Sequence, residues 1–390
     1  MVIHIHAFIL GGGDGVRAKN ICKDISEKIS SRIIELEFFA LSDRKKSNAA
    51  AHLLLSKAVV KKYRIPQIPF GGRSAFFDFL NSFWKSIVVL FLFLLYKPKA
   101  IIGEYSTSSD NFFFAKLLKR KSKLIVDMHG SVPEEAEYAN PNVNKKYLSR
   151  LEKKEYDSCL VADYIVCQSN QMKNHIITKY KATPSNIYVY NCAVDSDFFY
   201  YDSEARDEIR KRLDIPNDAV VFVYSGGISP WQRIPDTLST FERYHEHYKD
   251  SYLIILSKEQ AFFSNLLRQY PLISNNTFIF SLDFKEVHKY LSAADVGFLL
   301  RDDVVLNRVA SPTKLAEYLS CGMIVVVGKV ANNWVDGEGK QFLLYEDEMN
   351  KWDPKIVNIS KTAICSYAKE KMSLEKDRKV IRELVNRLLS

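Results

Sequence analysis

The chain has 390 residues, of which 47% are apolar and 26% charged, so it can bury large cores and is neither disordered nor fibrous. A single hydrophobic core stops growing at roughly 250–300 residues, and the length therefore predicts two domains. The net charge of +9 points to an acidic partner, such as nucleic acid, an anionic membrane surface or a phosphorylated substrate, without choosing among them.

The pattern of cysteines and the N-terminal sequence both indicate a cytoplasmic location. The six cysteines are scattered singly with no CxxC, which indicates neither a zinc knuckle nor a disulfide framework. The first residues, MVIHIHAFILGGGDG, lack a basic n-region and a small-residue cleavage pattern, so we interpret them as a strand and not as a signal peptide. A cytoplasmic protein is the expectation.

Predicted strands and helices alternate along the first half of the chain. Such alternation is typical of a parallel sheet with helices on both faces. The strands are predicted at 2–10, 100–102, 124–127, 164–167 and 187–190, and the helices at 19–29, 111–118, 146–159 and 171–180.

A second alternating pattern follows an irregular stretch at 191–199. Its strands are predicted at 219–224, 251–256, 277–280, 296–300 and 323–327, and its helices at 235–245, 262–269, 284–293 and 312–321. We therefore predict an α/β protein with two doubly wound Rossmann-like domains, 1–190 and 195–365, facing a central cleft. A basic amphipathic helix at about 372–390 ends the chain, and one option for it is packing back on the first domain. Ligands of such sheets bind beyond the carboxyl ends of the strands.

The most apolar run, IVVLFLFLLY at 87–96, is about half of the ~20 residues that a membrane-spanning helix needs. A buried helix is the favoured interpretation. Insertion into the interface of an anionic membrane is the alternative, because Lys97 and Lys99 follow the run.

The segment SPTKLAEYLSCG at 311–322 predicts an anion-binding helix N-terminus. Ser311 is expected to cap the helix, and Pro312 to occupy its first position. Free N–H groups, the helix dipole and Lys314 would then attract a phosphate. Glu317 is about one turn away on the same face, where its carboxylate could accept hydrogen bonds from hydroxyls. A phosphate beside a diol describes a nucleotide, although an exposed Lys–Glu pair is the plain structural alternative.

Two glycine-containing loops follow predicted strands. In SGGISPWQR, Gly226 and Gly227 permit close backbone approach to a phosphate and Arg233 adds charge, although such a turn is often only a turn. The loop at 11–17, GGGDGVR, has neither the GxGxxG register nor the GK[ST] ending of a P-loop, so we interpret Gly12 and Gly13 as part of a flexible loop lining the cleft.

Polar residues also follow two strands of the first domain. His129 comes directly after the strand KLIVDM, where it could position or polarise a substrate hydroxyl or could simply make ordinary loop hydrogen bonds. Glu104, after another strand, has the same two interpretations. No metal site is predicted, because no third ligand is evident beside either histidine pair, HIH or HEH, and the helical pair HEH has the wrong spacing. Nucleic-acid binding is not expected, since basic residues are not interleaved with aromatics in a known motif.

The segments SGGISPWQR, YLSAADVGFLLRDD and SPTKLAEYLSCGMIVVV together resemble the donor domain of GT-B glycosyltransferases. The resemblance is strongest to the retaining glycosyltransferase family 4 group of bacterial surface-polysaccharide enzymes. The first half is similar as well, in ADYIVCQSNQMKNHI, NIYVYNCAVDSDFF and VDMHG. The resemblance covers nearly the whole chain and implies the GT-B fold.

By this resemblance, Glu317 would bind the donor ribose, while Ser311, Thr313 and Lys314 would serve the diphosphate. His129 would lie near the transferred sugar and the acceptor, as a catalytic residue that orients them. Pro312 belongs to the same donor-binding segment.

The chain departs from the family pattern at three positions. The earlier glutamate of the pattern is Val309 here, and an Arg and a Lys of the phosphate loop are Gly227 and Gln232. Arg301 and Lys314 would supply the missing charge. Arg233, which directly follows Gln232, would act with Lys314 to stabilise the leaving diphosphate.

The implied activity is sugar transfer from a nucleotide-diphosphate-sugar to a lipid-linked or oligosaccharide acceptor, with retention and without a metal or other cofactor. O-antigen or capsule synthesis at the cytoplasmic face of the membrane would be its setting. The alternatives are a non-catalytic GT-B nucleotide-sugar-binding or assembly protein, and a GT-B sugar-nucleotide epimerase or hydrolase.

Overall fold

A computed structural model describes residues 1–7, 17, 20–21, 24–25, 32–41, 59–68, 74–104, 114–119, 121–352 and 359–389. The chain divides into two compact units. The first contains Met1–Asn191 and Asp377–Ser390, and the second contains Cys192–Lys376.

A seven-stranded parallel sheet forms the centre of the first unit, in the order β3-β2-β1-β4-β5-β6-β7. Its inner strands are buried on both faces, so their sequences are almost continuously apolar. The strands are β1 (Val2–Ala7), β2 (Ile33–Phe39), β3 (Val59–Pro66), β4 (Ala100–Glu104), β5 (Lys123–Met128), β6 (Tyr164–Cys167) and β7 (Ile187–Val189). The described helices between them are α1 (Ala75–Tyr96), α2 (Ala115–Lys119), α3 (Val132–Ala139), α4 (Lys145–Val161) and α5 (Asn170–Tyr180).

Strands β2 and β3 are additions to the sheet that the sequence analysis did not predict. Glu35 and Glu37 of β2 are buried, at 1% exposure each. The Lys62 ammonium on β3 lies 2.7 Å from the Glu35 carboxylate and 3.2 Å from that of Glu37. This cross-strand ion pairing offsets the cost of burying two carboxylates in a sheet.

Helix α1 is 22 residues long and begins well before the apolar run. The Ser74 side chain caps its N-terminus by accepting a hydrogen bond from the Phe77 N–H, and Lys97 ends the helix in the left-handed conformation. Its inner face is buried, but large apolar side chains such as Phe91 and Leu94, each 63% exposed, face outward. The expectation of a buried helix is therefore wrong for this face. By length and composition α1 could cross a membrane. One such helix among the described residues is weak evidence for a membrane-spanning protein.

The second unit is built on a six-stranded parallel sheet in the order β10-β9-β8-β11-β12-β13. Its core is continuous from the strands to helices on both faces. The strands are β8 (Val220–Ser225), β9 (Ser251–Leu256), β10 (Thr277–Phe280), β11 (Val296–Leu299), β12 (Ile324–Val327) and β13 (Leu343–Tyr345). The helices are α6 (Ser203–Arg212), α7 (Ile234–His247), α8 (Gln260–Leu266), α9 (Phe284–Ala293), α10 (Val305–Arg308), α11 (Thr313–Ser320) and α12 (Lys361–Lys371).

The last helix, α13 (Leu374–Leu389), belongs mostly to the first unit. Ile381, Leu384 and Val385 are almost completely buried and share a core cluster with Val2 and Ile125 of the first sheet. The Asn191 amide also donates a hydrogen bond of 3.0 Å to the carboxylate of Asp377. The amphipathic pattern at the end of the chain thus completes the core of the domain that begins it.

Candidate donor-binding site

Helix α11 starts beyond the carboxyl end of β11. Because β11 and β12 are parallel neighbours, the chain must return between them, and the N-terminus of α11 lies at the ligand-binding edge of the sheet. The helix begins one residue later than predicted, with Pro312 as its N-cap. The Ser311 hydroxyl instead accepts a hydrogen bond of 3.1 Å from the Cys192 N–H. The predicted roles of Ser311 as N-cap and Pro312 as first helical residue are therefore wrong, and Thr313 is the first helical residue.

The side chain of Lys314 extends from the first turn of α11 toward the carboxyl end of β8. Its ammonium donates hydrogen bonds to Gln232 Oε1, at 2.8 Å, and to the Tyr224 hydroxyl, at 3.3 Å. It also lies 4.5 Å from the centre of the Tyr224 ring, which is a cation–π contact. Burial, and next to it the charge of Arg301, lower the pKa of Lys314 to about 7. Two cations thus lie close together at a helix N-terminus, which is a suitable arrangement for an anion.

The two loop glycines have different surroundings. Gly226 has a φ of +143°, and an alanine Cβ there would lie 2.5 Å from Cε of Lys314. Glycine is therefore required at this position for the lysine to lie against the backbone. Nothing lies within 4 Å of a Cβ built on Gly227. The Gly227 carbonyl accepts a hydrogen bond of 2.5 Å from the Tyr224 hydroxyl, which holds the loop.

Glu317 follows one turn after Lys314 and is partly buried. Burial raises the pKa of Glu317 to about 7, and the positive charge of Lys314 opposes that rise. At neutral pH Glu317 is therefore present in both the protonated and the ionised form, and Lys314 favours the ionised form. The ionised carboxylate is the form that accepts hydrogen bonds from hydroxyls. The structure therefore places Lys314 against Gly226 and keeps Glu317 within reach of the charge of Lys314.

Two tyrosines that the sequence analysis missed hold this arrangement. The hydroxyl of Tyr318 accepts a hydrogen bond of 2.9 Å from the Ser225 N–H and so ties α11 to the start of the glycine loop. A Cβ at Gly297 of β11 would lie 2.7 Å from Cγ of Tyr318, so the strand glycine makes room for this ring. Tyr224 binds Lys314, as described above. A tyrosine at the end of a strand, directly before two glycines, was the available signal for Tyr224.

Arg233 is surrounded by carboxylates. Its guanidinium lies 3.0 Å from Glu346, 3.2 Å from Asp236 and 3.3 Å from Asp302. These neighbours raise the pKa of Arg233, against the opposing effect of burial. Donor phosphates would thus have to compete with three carboxylates for Arg233, which makes Lys314 the better-placed cation for the predicted role.

Arg233 and Arg301 line one pocket of about 410 Å³ beyond the ends of β11, β12 and β13. Arg301 also donates a hydrogen bond of 3.3 Å to Oδ1 of Asn307. The Arg301 charge also lowers the pKa of Lys314, so Arg301 both lines the pocket and acts on the lysine of α11.

His129, in the first unit, lies in a buried polar cluster at the ends of β1, β4 and β5. Its Nδ1 is 3.3 Å from Asp127, and its Nε2 is 3.7 Å from Glu104. Glu104 in turn accepts a hydrogen bond of 2.6 Å from Nε2 of His4. The His129 side chain is 1% exposed. Glu104, which the sequence analysis named with two interpretations, is therefore a direct neighbour of His129.

The oxygens and nitrogens of Glu104, Asp127 and His129 lie within 4.8 Å of one another, close enough to hold a metal ion. Arg17, however, donates hydrogen bonds to both Asp127 oxygens, with distances from 2.6 to 3.2 Å. This guanidinium already compensates the Asp127 charge and contributes to a strongly lowered pKa of that carboxyl group. The cluster fits an arginine–carboxylate–histidine network better than a cation site. The predicted loop glycines, Gly12 and Gly13, lie outside the described residues.

Comparison with known proteins assigns both halves of the chain. The family model described as "Glycosyltransferase Family 4" matches residues 11–198, and the model described as "Glycosyl transferases group 1" matches residues 205–335. The two family models and the two parallel sheets together show a glycosyltransferase of the GT-B fold. The chain belongs to the family 4-like glycosyltransferases, as the sequence resemblance predicts.

Solved structures agree on the fold. Sucrose-phosphate synthase from Thermosynechococcus elongatus superposes with a TM-score of 0.73 at 13% identity, covering 100% of this chain and 98% of its own. HepE (Alr3699) from Anabaena, in complex with UDP-glucose, has a TM-score of 0.67 at 13% identity and 99% coverage of both chains. WaaG, a glycosyltransferase involved in lipopolysaccharide biosynthesis, has a TM-score of 0.67 at 11% identity, covering 100% and 99%. A search of the curated proteins found no match.

Proposed function

We propose that the protein transfers a sugar from a nucleotide-diphosphate-sugar to a lipid-linked or saccharide acceptor, with retention, in bacterial cell-surface polysaccharide synthesis. The observation that carries the proposal is the placement of Lys314 and Glu317 one turn apart near the N-terminus of α11, with Lys314 against Gly226. Cation and helix N–H groups suit the diphosphate, and the carboxylate suits the ribose hydroxyls. HepE, a similar structure, was solved with UDP-glucose.

In the proposed reaction the bond between the anomeric carbon and the diphosphate oxygen breaks as the acceptor oxygen forms its bond on the same face. The proton of the acceptor hydroxyl passes to the leaving diphosphate. Negative charge therefore grows on the diphosphate, where Lys314 and the N–H groups of Thr313 and Lys314 would stabilise it without a metal. His129 is assigned to the acceptor side as an orienting residue. Arg233 would contribute after release from its carboxylate partners.

Calorimetric binding of a panel of nucleoside diphosphates and nucleotide sugars tests the donor site. One member should bind, and Glu317→Ala should weaken that binding by about 10- to 100-fold, as expected for lost hydrogen bonds to a charged group. Glu338→Ala is the matched control, because its carboxylate is 73% exposed on the same unit. If the folded protein binds no member of the panel, the donor site is refuted.

A second candidate function, non-catalytic nucleotide-sugar binding, is favoured by one observation. Val309 occupies the position of the family's first glutamate and is buried, at 3% exposure. Turnover separates the candidates. Release of nucleoside diphosphate that depends on an acceptor supports transfer, and binding without turnover supports a binding protein. Conversion of the donor with no acceptor present would indicate an epimerase or hydrolase.

A further inference from the structure

The outer side of helix α1 carries a continuous stripe of large apolar side chains, which we call the α1 apolar face. Their spacing of mostly three or four residues places them on one side of the helix, over about 28 Å at 1.5 Å per residue. Single exposed apolar residues are normal on protein surfaces, but a contiguous row of this size marks an interaction site. The members and their exposures are Phe76 65%, Phe79 52%, Phe83 38%, Trp84 37%, Ile87 39%, Phe91 63%, Leu94 63% and Leu95 55%.

The face continues onto the neighbouring helix α2. The ring centres of Phe83 and Phe114 are 6.3 Å apart, and Leu117 of α2 is 58% exposed. The apolar surface is therefore wider than one helix.

The opposite side of α1 holds the helix to the protein through polar groups. Asp78 pairs with Arg150 at 3.0 Å, Asn81 accepts a hydrogen bond from the Ile68 N–H at 3.3 Å, and Ser86 is 1% exposed. A transmembrane orientation would expose these groups to hydrocarbon and would remove α1 from the sheet, which is costly. The inner contacts favour a helix that stays on the protein and presents one side outward.

The exposed charge around the face is positive. Residues 74–123 contain eight basic and three acidic residues. Lys97, Lys99, Lys121 and Lys123 are exposed. They lie together because Lys99 directly precedes β4 and Lys123 starts the neighbouring strand β5, and the Lys123 N–H donates a hydrogen bond of 3.0 Å to the Lys99 carbonyl. The two described acidic residues of this segment, Asp78 and Glu104, are buried. An apolar stripe ending in a lysine cluster is complementary to acyl chains beneath anionic headgroups.

We propose that α1 binds in the plane of an anionic lipid membrane, with the α1 apolar face inserted at the level of the upper acyl chains and the four lysines on the headgroups. Charge complementarity selects lipid over a protein partner, because neutral apolar docking would not need the lysine cluster. The fluorescence of Trp84 can report insertion of the face into a membrane. Its ring is part of the face, and its indole N–H donates to the Pro66 carbonyl at 3.0 Å.

The test is flotation of the full-length protein with vesicles of phosphatidylglycerol and phosphatidylethanolamine, compared with phosphatidylcholine vesicles. The wild type should bind the anionic vesicles. The double variant Phe91→Asn with Leu94→Asn should reduce partitioning by about 100-fold, or about tenfold for each side chain. Lys97→Gln with Lys99→Gln should reduce it by about fivefold for each lysine. The matched control is Phe262→Asn with Leu272→Asn, whose side chains are 41% and 53% exposed on the second unit.

Circular dichroism melts establish that each variant is folded. Fluorescence of the wild type should shift to the blue on anionic vesicles, and Trp84→Phe should abolish the shift. A folded wild type that does not float, or a Phe91/Leu94 variant that floats like the wild type, would overturn the proposal. A lipid-free dimer that the same variant converts to monomer would assign the face to a second copy instead. Donor turnover with a soluble acceptor is independent of the face, so its loss would challenge the proposed function alone.

Discussion

The protonation of Lys314 and Glu317 predicts a bell-shaped pH dependence for nucleotide-sugar affinity. Without ligand, the pKa of each group is about 7. The complex needs Lys314 charged against the diphosphate and Glu317 ionised against the ribose hydroxyls. Binding therefore takes up a proton at Lys314 above pH 7 and releases one from Glu317 below pH 7, and affinity falls in both directions.

The size of the effect follows from these pKa values. If Lys314 stays charged in the complex, raising the pH from 7 to 9 lowers affinity by about 50-fold, since the charged fraction of the free protein falls from one half to about one hundredth. The same arithmetic for Glu317 gives about 50-fold between pH 7 and pH 5. Isothermal calorimetry with the tightest-binding nucleotide sugar, in buffers of different ionisation enthalpy, measures both affinity and proton exchange.

Single variants show which of the two groups causes the loss of affinity on the alkaline side and on the acidic side of the bell. Lys314→Met should remove the alkaline limb, and Glu317→Gln the acidic limb, each at a lower maximal affinity. The surface variants Lys340→Met and Glu338→Gln should keep the whole bell. A wild-type affinity that varies by less than about twofold between pH 5 and pH 9 would refute the reasoning.

Three substitutions test the surrounding structure by denaturant unfolding. Gly226→Ala should lower the free energy of unfolding by about 1–3 kcal/mol, because Gly226 has a positive φ and lies against Lys314. Gly227→Ala should lower it by less than about 0.5 kcal/mol, because the space around Gly227 is open. Equal losses for the two variants would contradict the contact between Gly226 and Lys314. Tyr318→Phe leaves the Ser225 N–H without its acceptor and should cost about 1–3 kcal/mol, whereas an unchanged midpoint would remove the tie between α11 and the glycine loop. Leu384→Ala should destabilise by about 2–5 kcal/mol, because its side chain is fully buried in the first unit; a loss under about 0.5 kcal/mol would place α13 outside that core.

Local patterns predicted the parts of the fold that depend on local physics. The apolar strands of both sheets and the helix between β11 and β12 were readable because burial on both faces leaves continuous apolar runs. Strand β2 was missed because Glu35 and Glu37 interrupt its apolar pattern, and their partner Lys62 is on another strand. The outward face of α1 was only the alternative interpretation, because composition does not distinguish an apolar helix that is covered from one that is exposed.

The same distinction between local patterns and contacts of distant segments explains which features of the site could be predicted. Lys314 and Glu317 were predicted because they share one turn of one helix. The N-cap was misplaced because the Ser311 hydroxyl serves the distant Cys192 N–H. The partners of Arg233 were also out of reach, since Glu346 is more than a hundred residues away and meets it only when β13 joins the sheet. Contacts between remote segments decide how much of a predicted charge is available to a ligand.

The return of α13 to the first unit has a consequence for biosynthesis. The first sheet lacks part of its apolar cover until Ile381, Leu384 and Val385 have left the ribosome, after the whole second unit has been translated. A chain broken off at any point in the second unit keeps an unfinished first core. Products terminated within the second unit therefore expose apolar surface of the first core, which proteases and chaperones recognise.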